Sequence, residues 1–117
     1  MEAITDFSNL KKNIAELKSE GIKFAIDDVG KGNSNLRSII ELDPDFVKLD
    51  KYFSNNLYSE PKKQELIKTI LHYTNNHNIN LVLEGLETEM DLAISKAIGV
   101  KYGQGFILGR PKALKVV

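Results

Sequence analysis

The spacing of apolar residues predicts helices in four parts of the chain. Residues 5–20 repeat apolar side chains every three or four positions, which is the spacing of one helix face. Residues 66–74 repeat that spacing after Pro61, a residue that favours the first turn of a helix. Thr88 and Asp91 predict an approximate capping box at the start of the last helix. The predicted helices are residues 5–20, 35–42, 61–77 and 88–99.

Three short apolar runs lie between these helices and predict strands. They hold apolar residues at consecutive positions, as expected for strands of a parallel sheet that is covered on both faces. The predicted strands are residues 22–26, 46–49 and 79–83, with a short fourth strand after residue 99. Residues 28–34 and 54–63 are polar and predict loops, the second of them on the surface. Strands that alternate with helices predict an α/β fold with parallel strands and right-handed crossovers.

Composition restricts the class of protein. The length of 117 residues suits one domain over residues 1–117. Lys plus Arg and Asp plus Glu number 16 each, so no basic excess points to a long nucleic acid as partner. The chain has no cysteine, which excludes disulfides and thiolate chemistry and fits a cytoplasmic location. No apolar run approaches the roughly 20 residues of a membrane span.

Polar side chains follow each predicted strand. Because all strands of a parallel sheet point the same way, their carboxyl ends share one rim, where sites form in such folds. Residues almost eighty positions apart would therefore converge. The rim candidates are Asp27 and Asp28 after the first strand, Lys48 and Asp50 at the second, Glu84 and Glu87 after the third, and Gln104 after the fourth.

Converging carboxylates repel one another, and a divalent cation removes that cost. Oxygen ligands suit Mg²⁺, Mn²⁺ or Ca²⁺, and two such ions about 3.5–4 Å apart clamp a phosphodiester. Each residue alone also has a structural explanation: an Asp-Asp pair caps turns, Glu84 could be a paired acid, and Lys48 could reach water from the strand end. A receiver-like phosphoacceptor domain is an alternative, but its lysine would not come on the very next strand.

Four motifs make the chain resemble the carboxyl-terminal half of an EAL domain, the cyclic di-GMP phosphodiesterase family. The stretch "AIDDVGKGNSNL" resembles the family's Asp-Asp-Phe-Gly loop, and "DPDFVKLDKYF" its Lys-x-Asp strand. The stretch "LVLEGLET" resembles its Glu-Gly-Val-Glu-Thr strand end, and "GQGFILGRP" its Gln-Gly-Tyr tail. The resemblance implies about half of a TIM-like (β/α)₈ barrel, with three or four parallel strands and flanking helices.

The resemblance also implies roles for individual residues. Family members hydrolyse cyclic di-GMP to the linear dinucleotide with two Mg²⁺ or Mn²⁺ ions. Asp27 and Asp28 resemble metal-binding acids, and Lys48 the lysine that contacts the water or phosphate. Glu84 resembles the general base, which also lies near the metal. The supporting residues implied are Asp50, Glu87 and Gln104.

The departures from the family pattern limit the expected activity. The sequence has no Glu-Ala-Leu motif, none of the family's early Asn and no Glu-x-Thr-Glu strand, which supply further metal ligands. We therefore expect this chain alone to be inactive, and a non-catalytic signalling or dimerisation module is the alternative. Half a barrel exposes sheet edges that pair with other chains, so we expect a homo-oligomer.

Overall fold

The structure is a computed structural model that describes residues 7–31 and 36–103. Helices and strands alternate along it, and two short 3₁₀ helices, Lys51–Phe53 and Leu57–Ser59, follow the second strand. The helices are α1 (Phe7–Ser19), α2 (Leu36–Leu42), α3 (Pro61–Asn76) and α4 (Glu89–Ile98). The strands are β1 (Ala25–Val29), β2 (Phe46–Leu49), β3 (Asn80–Leu83) and β4 (Tyr102–Gly103).

The four strands form one parallel sheet in the order β1-β2-β3-β4. Each strand thus neighbours the next one in sequence, as in a barrel, whereas the doubly wound sheet of a receiver-like domain reverses its order in the middle. Alternate residues of β2 and β3 pack into the main core with buried residues of β1 and α3. The structure confirms an α/β fold with parallel strands and flanking helices.

The first strand begins later than the sequence predicts. Gly21 has φ +85°, its N–H bonds the Lys18 carbonyl at 3.0 Å, and the Ile22 N–H bonds the Leu17 carbonyl at 3.1 Å. This hydrogen-bond pattern ends α1 and uses the Ile22 N–H, so Ile22 belongs to the end of the helix and not to a strand. The predicted strand at 22–26 was therefore wrong at both ends, because β1 contains the two acids that were expected after it.

The segment at 54–63 is not simply a surface loop. Ser54 and Leu57 are fully buried, and Leu57 belongs to the main core. The start of α4 also differs in part from the predicted capping box. The Thr88 hydroxyl accepts from the Asp91 N–H at 3.1 Å, but the Asp91 carboxylate accepts instead from the Tyr58 N–H at 3.0 Å. No helix of the described ranges has the length and apolar character that crossing a membrane requires.

Candidate metal site

Both acids of β1 reach the rim of the sheet because the strand has a bulge. β1 pairs with β2 at Ile26 and again at Val29, with a shift of register between them. In a regular strand one of two neighbouring side chains would point towards the helix-covered core. Here Asp28 has φ +52°, both acids are exposed, and Ile26 and Val29 are buried on either side. The bulge therefore presents Asp27 and Asp28 together.

Lys48 and Glu84 come from the two neighbouring strands. Val47 and Leu49 face the core, so Lys48 lies on the other face of β2. Its side chain is 14% exposed, and its Nζ is 4.0 Å from Asp27 Oδ1. Glu84 follows β3, with its N–H donating to the Leu49 carbonyl at 3.3 Å. The Glu84 Oε2 is buried and has no hydrogen-bond partner among the described residues.

The three carboxylates form an acid cluster that fits a divalent cation. One oxygen from each of Asp27, Asp28 and Glu84 lies within 4.8 Å of the others. The donors are all carboxylate oxygens, the ligand type of Mg²⁺, Mn²⁺ and Ca²⁺. A buried polar atom without a partner is unusual in a native protein, and an ion is one explanation for it. The buried Oε2 of Glu84 therefore supports the fit.

Burial and the neighbouring acids hold a proton on Glu84. Burial disfavours the charged form, and the hydrogen bond and negative charge of Asp27 favour the neutral form further, which raises the pKa of Glu84 to about 7. The positive charge of Lys48 opposes this change without cancelling it. In the absence of a cation, Glu84 is therefore half protonated near neutral pH.

The same contacts act on Asp27 in the opposite direction. Burial is the largest single effect and disfavours the charged form of Asp27, but the hydrogen bond from Glu84 and the smaller effects below together outweigh it and hold the pKa of Asp27 below its usual value. The Asp28 N–H, which donates to Asp27 Oδ1 at 2.8 Å, lowers this pKa further. Lys48 and Lys31 add smaller charge effects in the same direction. At pH values below about 7 the pair therefore shares one proton, which resides on Glu84.

The 3₁₀ helix Lys51–Phe53 and the residue after it fix the position of Glu84. The hydroxyl of fully buried Ser54 donates to the Glu84 carbonyl oxygen. Gly85 has φ +75°, and a Cβ at this position would lie 2.5 Å from the Lys51 Cβ. The loop after β3 therefore packs directly against the 3₁₀ helix, which holds the backbone that carries the Glu84 carboxylate.

A second feature of the rim is a cavity of about 380 Å³ whose wall includes Gly85, the residue that follows Glu84. It contains two of the predicted supporting residues, which lie outside the group of three carboxylates. The Asp50 carboxylate also accepts from the Tyr52 N–H at 3.0 Å and caps the 3₁₀ helix. The residues that line the cavity are Asp50, Lys51, Tyr52, Asn55, Gly85 and Glu87.

Comparison with known proteins supports the family suggested by the motifs. The family model described as the EAL domain matches residues 1–111. The chain belongs to the EAL domain family. Among curated EAL proteins, the cyclic di-GMP phosphodiesterase TpdA of Vibrio parahaemolyticus is 32% identical over 99 residues, which are 85% of this chain and 17% of TpdA. The chain is thus homologous to cyclic di-GMP phosphodiesterases.

Solved EAL structures share the fold. A standalone EAL protein from Vibrio cholerae in its c-di-GMP bound form superimposes with a TM-score of 0.86 and 29% identity, over 99% of this chain and 49% of that chain. BlrP1 of Klebsiella pneumoniae, solved with manganese and cyclic di-GMP, gives a TM-score of 0.81 and 30% identity over 92% of this chain and 28% of that chain. This EAL chain therefore spans about half of the standalone relative and less of the longer ones, and its fold is part of a TIM-like barrel.

The structure brings together four of the predicted site residues. Asp27, Asp28 and Glu84 form the acid cluster, and Lys48 lies beside it. Asp50 and Glu87 line the neighbouring cavity, as described above. Gln104 lies outside the described residues. Sequence reasoning missed Ser54, because a serine in a polar segment gives no sign that it is buried.

Proposed function

We propose that this EAL chain carries the carboxyl-terminal part of a cyclic di-GMP phosphodiesterase site. The observation that carries the proposal is the convergence of Asp27, Asp28 and Glu84 within 4.8 Å of one another, with a buried Glu84 oxygen that lacks a partner among the described residues. In this proposal these acids bind Mg²⁺ or Mn²⁺, and the phosphodiester of cyclic di-GMP lies against the same rim. The homology to TpdA and the manganese and cyclic di-GMP complex of BlrP1 support it.

Each residue of the site has a chemical role in this proposal. A bound divalent cation would neutralise the carboxylates and polarise a phosphoryl oxygen. As an ionised carboxylate, Glu84 would accept a proton from the attacking water. The Lys48 ammonium lies on the same face of the sheet as the acids and would hold a phosphate oxygen or the attacking water. Asp27 would orient Lys48 through their ion pair.

We propose binding without rapid hydrolysis for this chain alone. Two-metal hydrolysis requires ligands that fix both ions in geometry, and a missing ligand reduces the rate by orders of magnitude. The sequence contains neither a Glu-Ala-Leu motif nor a Glu-x-Thr-Glu motif. By resemblance to the family, these motifs would supply further metal ligands. The acid cluster therefore holds only part of the family's ligand set.

Calorimetry with Mn²⁺, followed by cyclic di-GMP, tests the proposal. We expect Mn²⁺ to bind the wild-type chain and binding to fall at least tenfold in Glu84→Gln. Glu65→Gln, an exposed acid on α3, is the matched control and should bind as the wild type does. Absence of Mn²⁺ binding to the wild type would refute the metal site. Rapid release of the linear dinucleotide, detected by chromatography, would contradict the expected lack of turnover.

The second candidate function is a non-catalytic module that assembles with a second copy of itself. Among the described strands, β1 pairs only with β2 and β4 only with β3, so each outer strand has an edge that no described strand covers. Open edges of a parallel sheet favour pairing with another chain. Light scattering at micromolar concentration tests this candidate, and a monomer at all concentrations would exclude it.

Two further expectations remain proposals. We propose that residues 1–117 form one domain, and the main core, which connects buried residues from Ile26 to Val100, supports this over the described ranges. We also propose a cytoplasmic location, which the lack of cysteine supports.

A further inference from the structure

We propose that Lys31 weakens the binding of divalent cations at the acid cluster and so sets the ion concentration at which the cluster fills. The inference rests on the proposed function, because it concerns the affinity of that same metal site. Lys31 lies three residues after Asp28, in the loop that follows β1. Its ammonium group is a second positive charge at this end of the sheet, in addition to that of Lys48.

Two contacts hold the backbone of Lys31 near the acid cluster. The Lys31 N–H donates to the Asp28 carbonyl at 3.1 Å, which closes a turn directly after the bulge of β1. Gly30, within this turn, has φ +91° and packs so closely on the Phe53 ring that a Cβ would overlap the ring. The turn is thus packed against the 3₁₀ helix Lys51–Phe53, and the fold fixes where the Lys31 side chain begins.

The side chain of Lys31 acts on the acid cluster through its charge. It is exposed and forms no salt bridge with another described residue, yet its positive charge lowers the pKa of Asp27. Lys48 differs from it, because Lys48 is 14% exposed and its Nζ lies 4.0 Å from Asp27 Oδ1. Lys31 therefore adds positive charge to the surroundings of the cluster without the fixed geometry of an ion pair.

Near neutral pH this charge opposes a metal ion. The usual aspartate pKa of 3.8 already ensures that Asp27 is ionised there, so Lys31 is not needed to form the carboxylate. What remains is the repulsion between the Lys31 ammonium and an incoming divalent ion. A unit charge about 8 Å from such an ion, in a water-like dielectric, weakens its binding about sixfold in the absence of salt. Screening reduces this to about fourfold in about 10 mM salt and about twofold in about 150 mM salt.

Calorimetric titration with Mn²⁺ at these two salt concentrations tests the inference. We expect Lys31→Gln to bind Mn²⁺ about fourfold more tightly than the wild type in about 10 mM salt and about twofold more tightly in about 150 mM salt. Equal affinity of the two proteins at both salt concentrations would overturn the role of Lys31 and leave the metal site standing. Absence of Mn²⁺ binding in both proteins would instead refute the metal site, and this inference with it.

Two further variants separate the charge of Lys31 from the shape of its loop. Lys31→Arg keeps the positive charge and should bind Mn²⁺ as the wild type does. Lys68→Gln removes an equally exposed lysine from α3, the helix that packs on the core face of the sheet, and should also leave the affinity unchanged. A gain in affinity that Lys31→Arg shares with Lys31→Gln, or that does not change with salt, would show an effect of loop shape and overturn the inference.

Discussion

Gly85→Ala tests whether the loop after β3 is packed as closely as the structure shows. The added Cβ would lie 2.5 Å from the Lys51 Cβ and 3.3 Å from the Lys51 Cα. Neither atom is the mobile end of a side chain, so the backbone must move, at a cost of about 1–3 kcal/mol. The φ of +75° adds about 1–2 kcal/mol for a residue with a Cβ. Together we expect a loss of about 2–5 kcal/mol in the free energy of unfolding.

Gly21→Ala is the matched control for the backbone contribution. Gly21 has φ +85°, and no atom lies within 4 Å of the position of its Cβ. The conformational strain and the reduced freedom of the unfolded chain are therefore similar in the two variants. The difference between them isolates the contact with Lys51, at about 1–3 kcal/mol.

Urea unfolding measures both variants. With a denaturant slope of about 2 kcal/mol per molar, the midpoint of Gly85→Ala should lie about 1 M below that of Gly21→Ala. Mn²⁺ affinity provides a second readout, because the shift at Gly85 displaces Glu84, and only Gly85→Ala should weaken it. If the two variants unfold at the same urea concentration, the loop has room for a Cβ and the reasoning from packing is wrong.

Two further predictions concern the partly buried acid Glu84 and the buried acid Asp91. Because the Glu84 pKa is raised from 4.5 to about 7, the metal-free folded chain retains a proton that the unfolded chain releases, so stability should fall as pH rises between these values. Glu84→Gln should lose this fall, as urea midpoints at several pH values would show, and an unchanged slope would contradict the shift. Asp91→Ala leaves the partly buried Tyr58 N–H without its acceptor and should cost about 1–3 kcal/mol of unfolding free energy, whereas Glu89→Ala should change it by less than about 0.5 kcal/mol in the same urea assay.

The order of elements was predictable because it depends on patterns within short segments. The spacing of apolar residues in α3 and the consecutive apolar residues of β2 and β3 each indicate which residues of that segment are buried. The parallel rim follows from the alternation of strands and helices alone. These rules alone predict that Asp27, Lys48 and Glu84 lie at a common edge of the sheet.

The details that shape the site were not predictable because they depend on contacts between distant segments. Nothing in "AIDDV" shows that the register with β2 shifts between Ile26 and Val29, since the shift involves both strands. The burial of Ser54 depends on the Glu84 carbonyl, thirty residues away. The position of Asp50 in the cavity depends on the 3₁₀ helix that it caps.

The backbone at Asp28 constrains how this site changes during evolution. A residue with φ +52° within a strand excludes β-branched side chains but accepts aspartate or asparagine. Asp28→Asn therefore removes a charge from the rim without disturbing the chain path. A single substitution of this kind would remove one of the three negative charges that favour a cation while it keeps the fold, and this separates the inheritance of shape from the inheritance of chemistry.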